Sequence, residues 1–327
     1  MTLRSAVLLL ILPAVLSAVT PEARQFIRKM PRGLSARQEL AIRRAIGGDL
    51  RDLNAVRNSR NTPAQPPAGV RVSDFRIDRV PARLYHPLNG RKLPLVIYLH
   101  GGGWTFGSIN SCARFCGDLA ASGTAAVLAI NYRLAPEHPY PAALNDTVTA
   151  FREARRHLPE TVDPDRIFLA GDSAGGHLAI TAALKLADEF KQKPAGLILF
   201  YPVTTLEPGI NGSWLRYGRG FTNDSRLMEA FQDAYCPNRN QRRERFVSPL
   251  TTDLSALPPF LLITAECDVL SDQGREFAER ARRQGVRVIH EELPGAVHIF
   301  ITMPGMEQAY RTAFEQTLSF LKQFPAP

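Results

Sequence analysis

Short apolar runs alternate with stretches of helical periodicity along most of this chain. The runs are typical of buried strands, and the periodic stretches are typical of amphipathic helices. The predicted strands are Val70–Ile77, Val80–His86, Leu93–Leu99, Ala125–Ile130, Ile167–Ala170, Gly196–Tyr201, Phe260–Thr264 and Val286–His290. The predicted helices are Ala142–Arg156, one that starts directly after Gly175, Gln273–Gln284 and Met306–Phe324. This alternation indicates an α/β fold, with a mostly parallel eight-stranded sheet and helices on both faces.

Two segments do not fit the alternation. Residues 19–60 have the apolar spacing of amphipathic helices, and the main domain, residues 61–327, begins with a proline-rich linker at residues 61–69. Residues 203–247 contain no strand pattern but include a helix pattern around Phe231. An insertion there lies above the strand ends, so we expect both segments to form a helical cap. An ordinary surface subdomain is the alternative.

The N-terminus has the organisation of a secretory signal peptide. One early positive charge, Arg4, precedes an apolar run from Ala6 to Leu16 and then small residues, which predicts a signal peptide over residues 1–18. The run is too short for a stable membrane span. We therefore expect export to the periplasm or the medium. A docking helix of a cytoplasmic protein is the alternative.

The charge and the cysteine content argue against some partners and cofactors but do not indicate a function. The net charge of +9 comes mainly from scattered arginines without a recognition module, so no nucleic-acid partner is predicted. The four cysteines form no metal-binding spacing, so neither a metal nor a cofactor is expected, and three disulfide pairings remain possible. Arg133 and Glu137 are expected to pair with each other in one loop.

The strongest candidate for a catalytic group lies in a Gly-x-Ser-x-Gly turn centred on Ser173. It follows a predicted strand and begins a helix, a context that exposes a serine hydroxyl on a sharp corner. Glycines at 171 and 175 allow strand and helix to approach closely. The backbone N–H of Ala174, at the helix N-terminus, can contribute to an oxyanion hole.

A second glycine cluster supplies the donors that the serine lacks. The strand Leu93–Leu99 ends in His100 and three glycines. The backbone N–H groups of Gly102 and Gly103 are candidates to stabilise the negative oxygen of a tetrahedral intermediate. A merely flexible loop after a strand is the alternative.

A base and an acid are expected after the serine in the chain. Of the three later histidines, His298 follows a predicted strand in a loop, whereas His177 lies in the helix that follows the serine and His290 ends a strand. Loops at the carboxyl ends of parallel strands hold the chemistry of such sheets, so His298 is the predicted base. Asp268 is the predicted acid, with Glu266 as the alternative.

These motifs resemble the hormone-sensitive-lipase-like branch of the α/β-hydrolases, bacterial family IV. The resemblance runs from about Val70 to the C-terminus and rests on four segments in order: His100–Gly103, Asn131–Ala142, Gly171–Gly176 and Asp268–Gly274. It implies an α/β-hydrolase fold with a helical cap. One departure is Ile299, because the family usually has glycine after the catalytic histidine. Ile299 and Trp104 are therefore expected to shape the substrate pocket.

The motifs together predict a serine carboxylesterase that acts on short, acetyl-type esters through an acyl-enzyme. The expected substrate is a small-molecule ester or an acetylated carbohydrate. An amidase or formamidase, or an exported peptidase, is the alternative on the same fold. A ligand-binding protein that kept the fold would lack a member of the Ser173, His298 and Asp268 set, and none is missing.

Overall fold

The computed structural model describes residues 19–207 and 212–324. The predicted signal peptide, residues 1–18, lies outside the described residues, as do residues 208–211 of the predicted insertion. Within the described ranges, no helix combines the length and the apolar character needed to cross a membrane.

One eight-stranded sheet forms the centre of the protein, with the strand order β1-β2-β4-β3-β5-β6-β7-β8. Strand β2 is antiparallel to both of its neighbours, and all other adjacent strands are parallel. The mostly parallel sheet is therefore confirmed. The strands are β1 Val70–Ile77, β2 Val80–Pro87, β3 Leu93–Leu99, β4 Ala126–Ile130, β5 Val162–Asp172, β6 Gly196–Phe200, β7 Phe260–Cys267 and β8 Val288–Val297.

Helices precede the sheet and connect its strands. In the described residues they are α1 Pro21–Lys29, α2 Leu34–Ile46, α3 Arg51–Ser59, α4 Ala113–Ala121, α5 Ala142–Glu153, α6 Ala174–Phe190, α7 Gly212–Tyr217, α8 Ser225–Tyr235, α9 Ser271–Arg283 and α10 Glu307–Lys322. Short 3₁₀ helices occupy Ala154–His157, Arg239–Arg243 and Pro249–Thr251.

Both faces of the sheet are covered, which explains the continuous apolar runs of its central strands. Along β3, Leu95, Ile97 and Leu99 belong to the core that includes residues of α5, α6 and α9. Val96 and Tyr98 belong to the opposite core, which includes residues of α4 and α10. Alternate residues of one strand thus anchor helices on opposite sides.

Two strands are longer than their apolar runs. Strand β5 starts at Val162 rather than Ile167, because a register shift lets Val162 and Asp163 pair with the start of β3. Strand β8 continues to Val297, since a register shift against β7 carries its pairing past Gly295. The predicted loop before His298 is therefore mostly strand, and His298 follows the strand directly.

The N-terminal helices and the inserted segment contact each other. Helix α2 packs against α8, and α1 packs against β8. Residues 203–247 contain α7 and α8 but no strand among the described residues. The contact between α2 and α8 joins two segments that are far apart in sequence on the same side of the sheet as the carboxyl ends of its parallel strands.

Candidate active site

Ser173 occupies a strained turn between β5 and α6. Its φ is +54°, a conformation that L-residues other than glycine seldom adopt. Its N–H donates to the Phe200 carbonyl at 2.9 Å. A Cβ at Gly171 or Gly175 would collide with neighbouring backbone, including the Leu99 carbonyl. The two glycines therefore let β3, β5 and α6 converge where the serine is held.

His298 and Asp268 contact each other in the interior. The Nδ1–H of His298 donates to Asp268 Oδ2 at 2.5 Å, and both side chains are buried. Glu266 has a different partner, because its Oε2 accepts the Gly295 N–H at 2.8 Å. Asp268, not the alternative Glu266, therefore orients the imidazole, while Glu266 fixes the backbone three residues before it.

Tyr201 holds the other side of the imidazole. Its ring centroid lies 4.3 Å from that of His298, and its hydroxyl accepts the Ile301 N–H at 3.3 Å. The motifs in the sequence did not predict this contact. The available signal was its position directly after β6, at the strand end where functional side chains collect.

The glycine loop after β3 adopts left-handed conformations, with φ of +115° at Gly102 and +58° at Gly103. The Gly102 carbonyl accepts the N–H groups of Thr105 and Phe106, both at 3.1 Å, which closes the loop into a turn. His100 Nδ1 lies 2.9 Å from the Gly101 carbonyl, and burial lowers the pKa of that imidazole to about 4. His100 is thus a neutral brace of the loop.

Ala174 is the first residue of α6. The first N–H groups of a helix have no partner within it, so the Ala174 N–H is available beside the serine. Together with Gly102 and Gly103, it forms the predicted set of oxyanion donors on two elements that converge at Ser173.

Asp172 connects the serine turn to the glycine loop. Its Oδ1 accepts the Gly101 N–H at 2.9 Å and the Tyr98 hydroxyl at 3.1 Å. Burial raises the pKa of the Asp172 carboxyl to about 6, and the two hydrogen bonds oppose that rise. This carboxylate therefore fixes the relative position of the serine and the donors.

A cavity of about 270 Å³ opens beside these groups. Ser173, His298, Gly102, Gly103 and the predicted pocket residue Ile299 all line it. The other lining residues are Phe26, Lys29, Met30, Pro31, Leu34, Gln38, Arg60, Gly101, Phe106, Gly107, Ser111, Asp172, Thr222, Asn223, Phe231, Thr302 and Met303. Ser173 and His298 thus share one space with the glycine loop.

Trp104 does not line this cavity. It is fully buried, stacks on Tyr235 at a centroid distance of 4.4 Å and meets the edge of His177 at 5.1 Å. The expectation that Trp104 shapes the substrate pocket is therefore wrong. Its left-handed backbone turns the side chain into the core beneath α8.

Several cavity residues come from the N-terminal segment, which the sequence predicts to be part of a cap without indicating which of its side chains reach the site. Phe26 and Met30 belong to the first helix and its end, and Leu34 and Gln38 belong to α2. Their helical spacing indicated an apolar face but not the surface that it covers.

The predicted pair between Arg133 and Glu137 is also wrong. Arg133 binds Asp146, with Nη2 2.8 Å from Oδ1. Glu137 instead binds the guanidinium of Arg57 through both oxygens, at 2.6 and 2.8 Å. Each residue pairs with a partner on a helix instead of with its neighbour in the loop, because α5 brings Asp146 to Arg133 and α3 brings Arg57 to Glu137.

Comparisons with known proteins agree with this architecture. A family profile described as alpha/beta hydrolase fold matches residues 96–302. The carboxylesterase NlhH of Mycobacterium tuberculosis is 33% identical over 250 residues, which cover 75% of this chain and 78% of the relative. The ethyl acetate hydrolase of Pseudomonas putida is 34% identical over 236 residues, which cover 68% and 72%.

A solved structure gives the same result in three dimensions. The hyperthermophilic esterase of Pyrobaculum calidifontis superimposes with a TM-score of 0.83 at 31% identity, over 93% of this chain and 98% of that one.

Proposed function

The chain belongs to the α/β-hydrolase family, in its hormone-sensitive-lipase-like branch, as an esterase-type enzyme, and we propose that it hydrolyses short-chain esters with Ser173 as nucleophile. In this proposal His298 is the general base, Asp268 orients it, and the N–H groups of Gly102, Gly103 and Ala174 form the oxyanion hole. The supporting observation is the bond between His298 and Asp268 beside the strained Ser173 in one cavity.

The first half of the reaction forms an acyl-enzyme. The imidazole of His298 takes the proton of Ser173 Oγ as the oxygen attacks the ester carbonyl. The carbonyl oxygen becomes an oxyanion that the three backbone donors receive, and removing one such donor typically costs about 3 kcal/mol. The imidazolium, stabilised by the Asp268 carboxylate, then protonates the leaving alcohol. In the second half, His298 activates water, which releases the acid and restores the serine.

Replacement of the serine tests the assignment. We expect Ser173→Ala to lower kcat for p-nitrophenyl acetate and butyrate by about 10⁴-fold or more, with an unchanged circular dichroism spectrum. Ser122→Ala is the matched control, since exposed Ser122 makes only local contacts at the end of α4, where its Oγ donates to the Leu119 carbonyl and accepts the Thr124 N–H. A covalent organophosphate should label Ser173. Near-normal activity of Ser173→Ala, or a label on another serine, would show that the nucleophile is misassigned.

The preference for acetyl-type acyl groups rests on the cavity and one relative. A space of about 270 Å³ is small for a ligand site, and Ile299 narrows it beside His298. The Pseudomonas putida relative is named for ethyl acetate. A p-nitrophenyl series from acetate to laurate should show kcat/KM falling for the long chains, and acetylated carbohydrate belongs in the same assay. A rise towards laurate would contradict the proposal.

Amide hydrolysis is tested in parallel, because the same groups can attack an amide carbonyl. Acyl esters, N-formyl aromatic amines and aminoacyl anilides should be compared on one preparation. The ester proposal expects kcat/KM to be highest for the acyl esters, and faster turnover of either amide would reassign the activity.

We also propose that residues 19–60 and 203–247 form the cap over this site and that the protein is exported. Support for the cap is the packing of α2 on α8 and the presence of both helices in the cavity wall. Support for export is the N-terminal sequence alone. N-terminal sequencing of the protein secreted by its host should show residues 1–18 removed.

A further inference from the structure

Arg60 lines the cavity with a guanidinium that has no acceptor among the residues that the structure describes. It is partly buried just beyond α3, and its Cζ lies 4.6 Å from the ring centroid of Phe106, over the ring face. In residues 19–207 and 212–324, no carboxylate forms an ion pair with it and no hydrogen bond leaves its side chain. Burial lowers the pKa of the Arg60 guanidinium without any offsetting acidic neighbour.

The backbone that carries Arg60 is firmly held. The Arg60 carbonyl accepts the Ser111 hydroxyl at 3.3 Å, and Asn61 Oδ1 accepts Ser108 Oγ at 2.7 Å and Asn110 Nδ2 at 2.8 Å. These contacts attach the end of α3 to the segment that follows the glycine loop. The backbone of Arg60 is therefore fixed relative to the glycine loop, and the Phe106 ring supports the guanidinium, whose own donors have no acceptor in the described residues.

Arg57, one turn earlier, shows what a structural arginine looks like in the same helix. Its guanidinium donates to the carbonyls of Thr105 and Ala135 and to both oxygens of Glu137. Every side of it is occupied. Arg60 lines the cavity, and in the described residues no acceptor occupies its planar set of donors, as expected of a binding group rather than of a packing group.

The other charged residues of the cavity wall also favour an anionic ligand. Lys29 also lines the cavity, and no ion pair holds it within the described part of the chain. Asp172 is the single acidic residue of the lining set, and it is occupied by Gly101 and Tyr98. The remaining wall is largely apolar, with Phe106 and Phe231 close to the glycine loop. The cavity thus combines an apolar interior with a positively charged edge.

We propose that Arg60 recognises a carboxylate on the ester substrate, so that the enzyme prefers anionic esters to neutral ones of equal size. This inference rests on the proposed esterase function of the same cavity. A guanidinium matches a carboxylate with two parallel hydrogen bonds, and the Phe106 face fixes its plane. Lys29 adds attraction but no comparable geometry.

Two pairs of esters test the preference and locate the carboxylate. On the alcohol side, 4-acetoxybenzoate is compared with its methyl ester. On the acyl side, the mono-p-nitrophenyl ester of adipic acid is compared with its methyl ester, after subtraction of the uncatalysed rate. The wild type should show a higher kcat/KM for the anionic member of at least one pair. That advantage should shrink at about 0.5 M salt, because exposed ionic attractions are screened.

Variants assign the preference to Arg60. Arg60→Gln should raise KM for the preferred anionic ester by about tenfold or more while changing kcat/KM for its neutral partner by less than about twofold. Arg60→Lys should retain part of the preference, since it keeps the charge but not the planar fork. Arg155→Gln is the matched control, because it removes one positive charge at the opposite end of β5, where Arg155 pairs with exposed Asp165.

The outcomes separate this inference from the proposed function. If the wild type treats both members of each pair alike, or if Arg60→Gln leaves the anionic advantage intact, Arg60 is not a carboxylate-binding residue. Equal loss on anionic and neutral esters would mean that Arg60 only supports the loop, which also overturns the proposal. In each of these cases hydrolysis of the neutral esters still depends on Ser173, so the esterase proposal stands or falls separately.

Discussion

Asp172 is a carboxyl group whose ionisation is opposed by burial. It is buried beside Ser173, and the Gly101 N–H and the Tyr98 hydroxyl compensate only part of the hydration that its carboxylate loses. Its pKa of about 6 in the folded protein therefore exceeds the value of about 4 expected in the unfolded chain. Holding the ionised Asp172 between the serine turn and the glycine loop therefore lowers the free energy of unfolding at neutral pH.

The raised pKa of Asp172 makes the stability of the folded protein depend on pH. Between about pH 4 and about pH 6, the folded state binds more protons at Asp172 than the unfolded state, so stability falls as the pH rises. Asp172→Asn cannot ionise, and it can still accept from Gly101. We expect the free energy of unfolding of the variant, relative to wild type, to increase by up to about 3 kcal/mol across this window.

Urea titrations of wild type and Asp172→Asn at several pH values measure that difference. The absolute stabilities can differ by a constant, because an amide packs differently from a carboxyl, and only the pH-dependent part is tested. Parallel curves from about pH 4 to about pH 7 would mean that the Asp172 carboxyl titrates no differently in the two states.

Gly103 is required for two separable reasons. Its φ is +58°, and a Cβ there would overlap the ring of Phe231 on α8. Gly90 has a similar φ of +68° but no heavy atom within 4 Å of the position its Cβ would take. The comparison of these two glycines therefore separates backbone strain from the overlap with α8.

Gly103→Ala should destabilise the protein by about 1–3 kcal/mol more than Gly90→Ala, because Gly90→Ala strains only the backbone whereas Gly103→Ala also forces an overlap with Phe231. Gly103→Ala should also lower kcat, since the loop that carries the proposed oxyanion donor must shift, while Gly90→Ala keeps normal kinetics. Thermal unfolding and p-nitrophenyl butyrate kinetics measure both effects. In a Phe231→Ala background the excess cost should largely disappear, and persistence of the excess would rule out the overlap as its cause.

Residues governed by local chemistry were predictable from the sequence. Ser173 could be assigned because glycines, an apolar run and a helix pattern surround it, and His298 because few histidines follow it. The sequence favoured Asp268 over Glu266 by its position in the loop, and the partners seen in the structure distinguish the two directly. Trp104 was misplaced, because the direction of its side chain depends on a left-handed backbone and on packing against α8.

At the level of elements, α3 acts as a clamp on the loops that frame the site. The Arg57 guanidinium donates to the Thr105 carbonyl at 2.8 Å and the Ala135 carbonyl at 3.0 Å, while Glu137 neutralises it. One side chain of α3 therefore joins the segment after the glycine loop to the loop after β4. Loss of this contact should be transmitted to Gly102 and Gly103, the proposed oxyanion donors.

Arg57→Gln should lower kcat for neutral and anionic esters alike and destabilise the protein by about 1–3 kcal/mol, because two buried carbonyls lose a charged donor. Glu137→Gln should cost less activity, since it removes the ion pair but leaves both carbonyl contacts. The Arg57 guanidinium lowers the pKa of Glu137, so this pair contributes above the unfolded pKa and weakens as the pH falls through the folded one. A selective loss on anionic esters alone would contradict the clamp.

The sequence predicted element types better than element ends. Apolar runs located all eight strands, because burial on both faces makes those runs continuous. The runs did not show that β5 begins at Val162 or that β8 continues to Val297, since both extensions depend on register shifts against neighbouring strands. The packing of α2 against α8 could not be predicted either, because helical periodicity defines an apolar face but not the surface against which that face packs.

For the whole molecule, all four cysteines are free and buried. Cys112, Cys116, Cys236 and Cys267 each have at most 1% of their surface exposed. Burial raises the pKa of Cys267 to about 11 and also raises that of Cys116 and Cys236. Because the thiolate is the reactive form, the low exposure of all four thiols and the raised pKa of these three make the cysteines inert while the fold is intact.

Thiol titration tests this property of the fold and bears on the proposed export. Native protein should react slowly or not at all with Ellman's reagent, whereas denatured protein, prepared without reductant, should yield all four thiols. The melting temperature should be the same with and without dithiothreitol, because no disulfide contributes to stability. Protein recovered from an oxidising compartment should give the same count, since folding buries the sulfurs. Fewer than four thiols after denaturation would reveal a disulfide and contradict the arrangement described here.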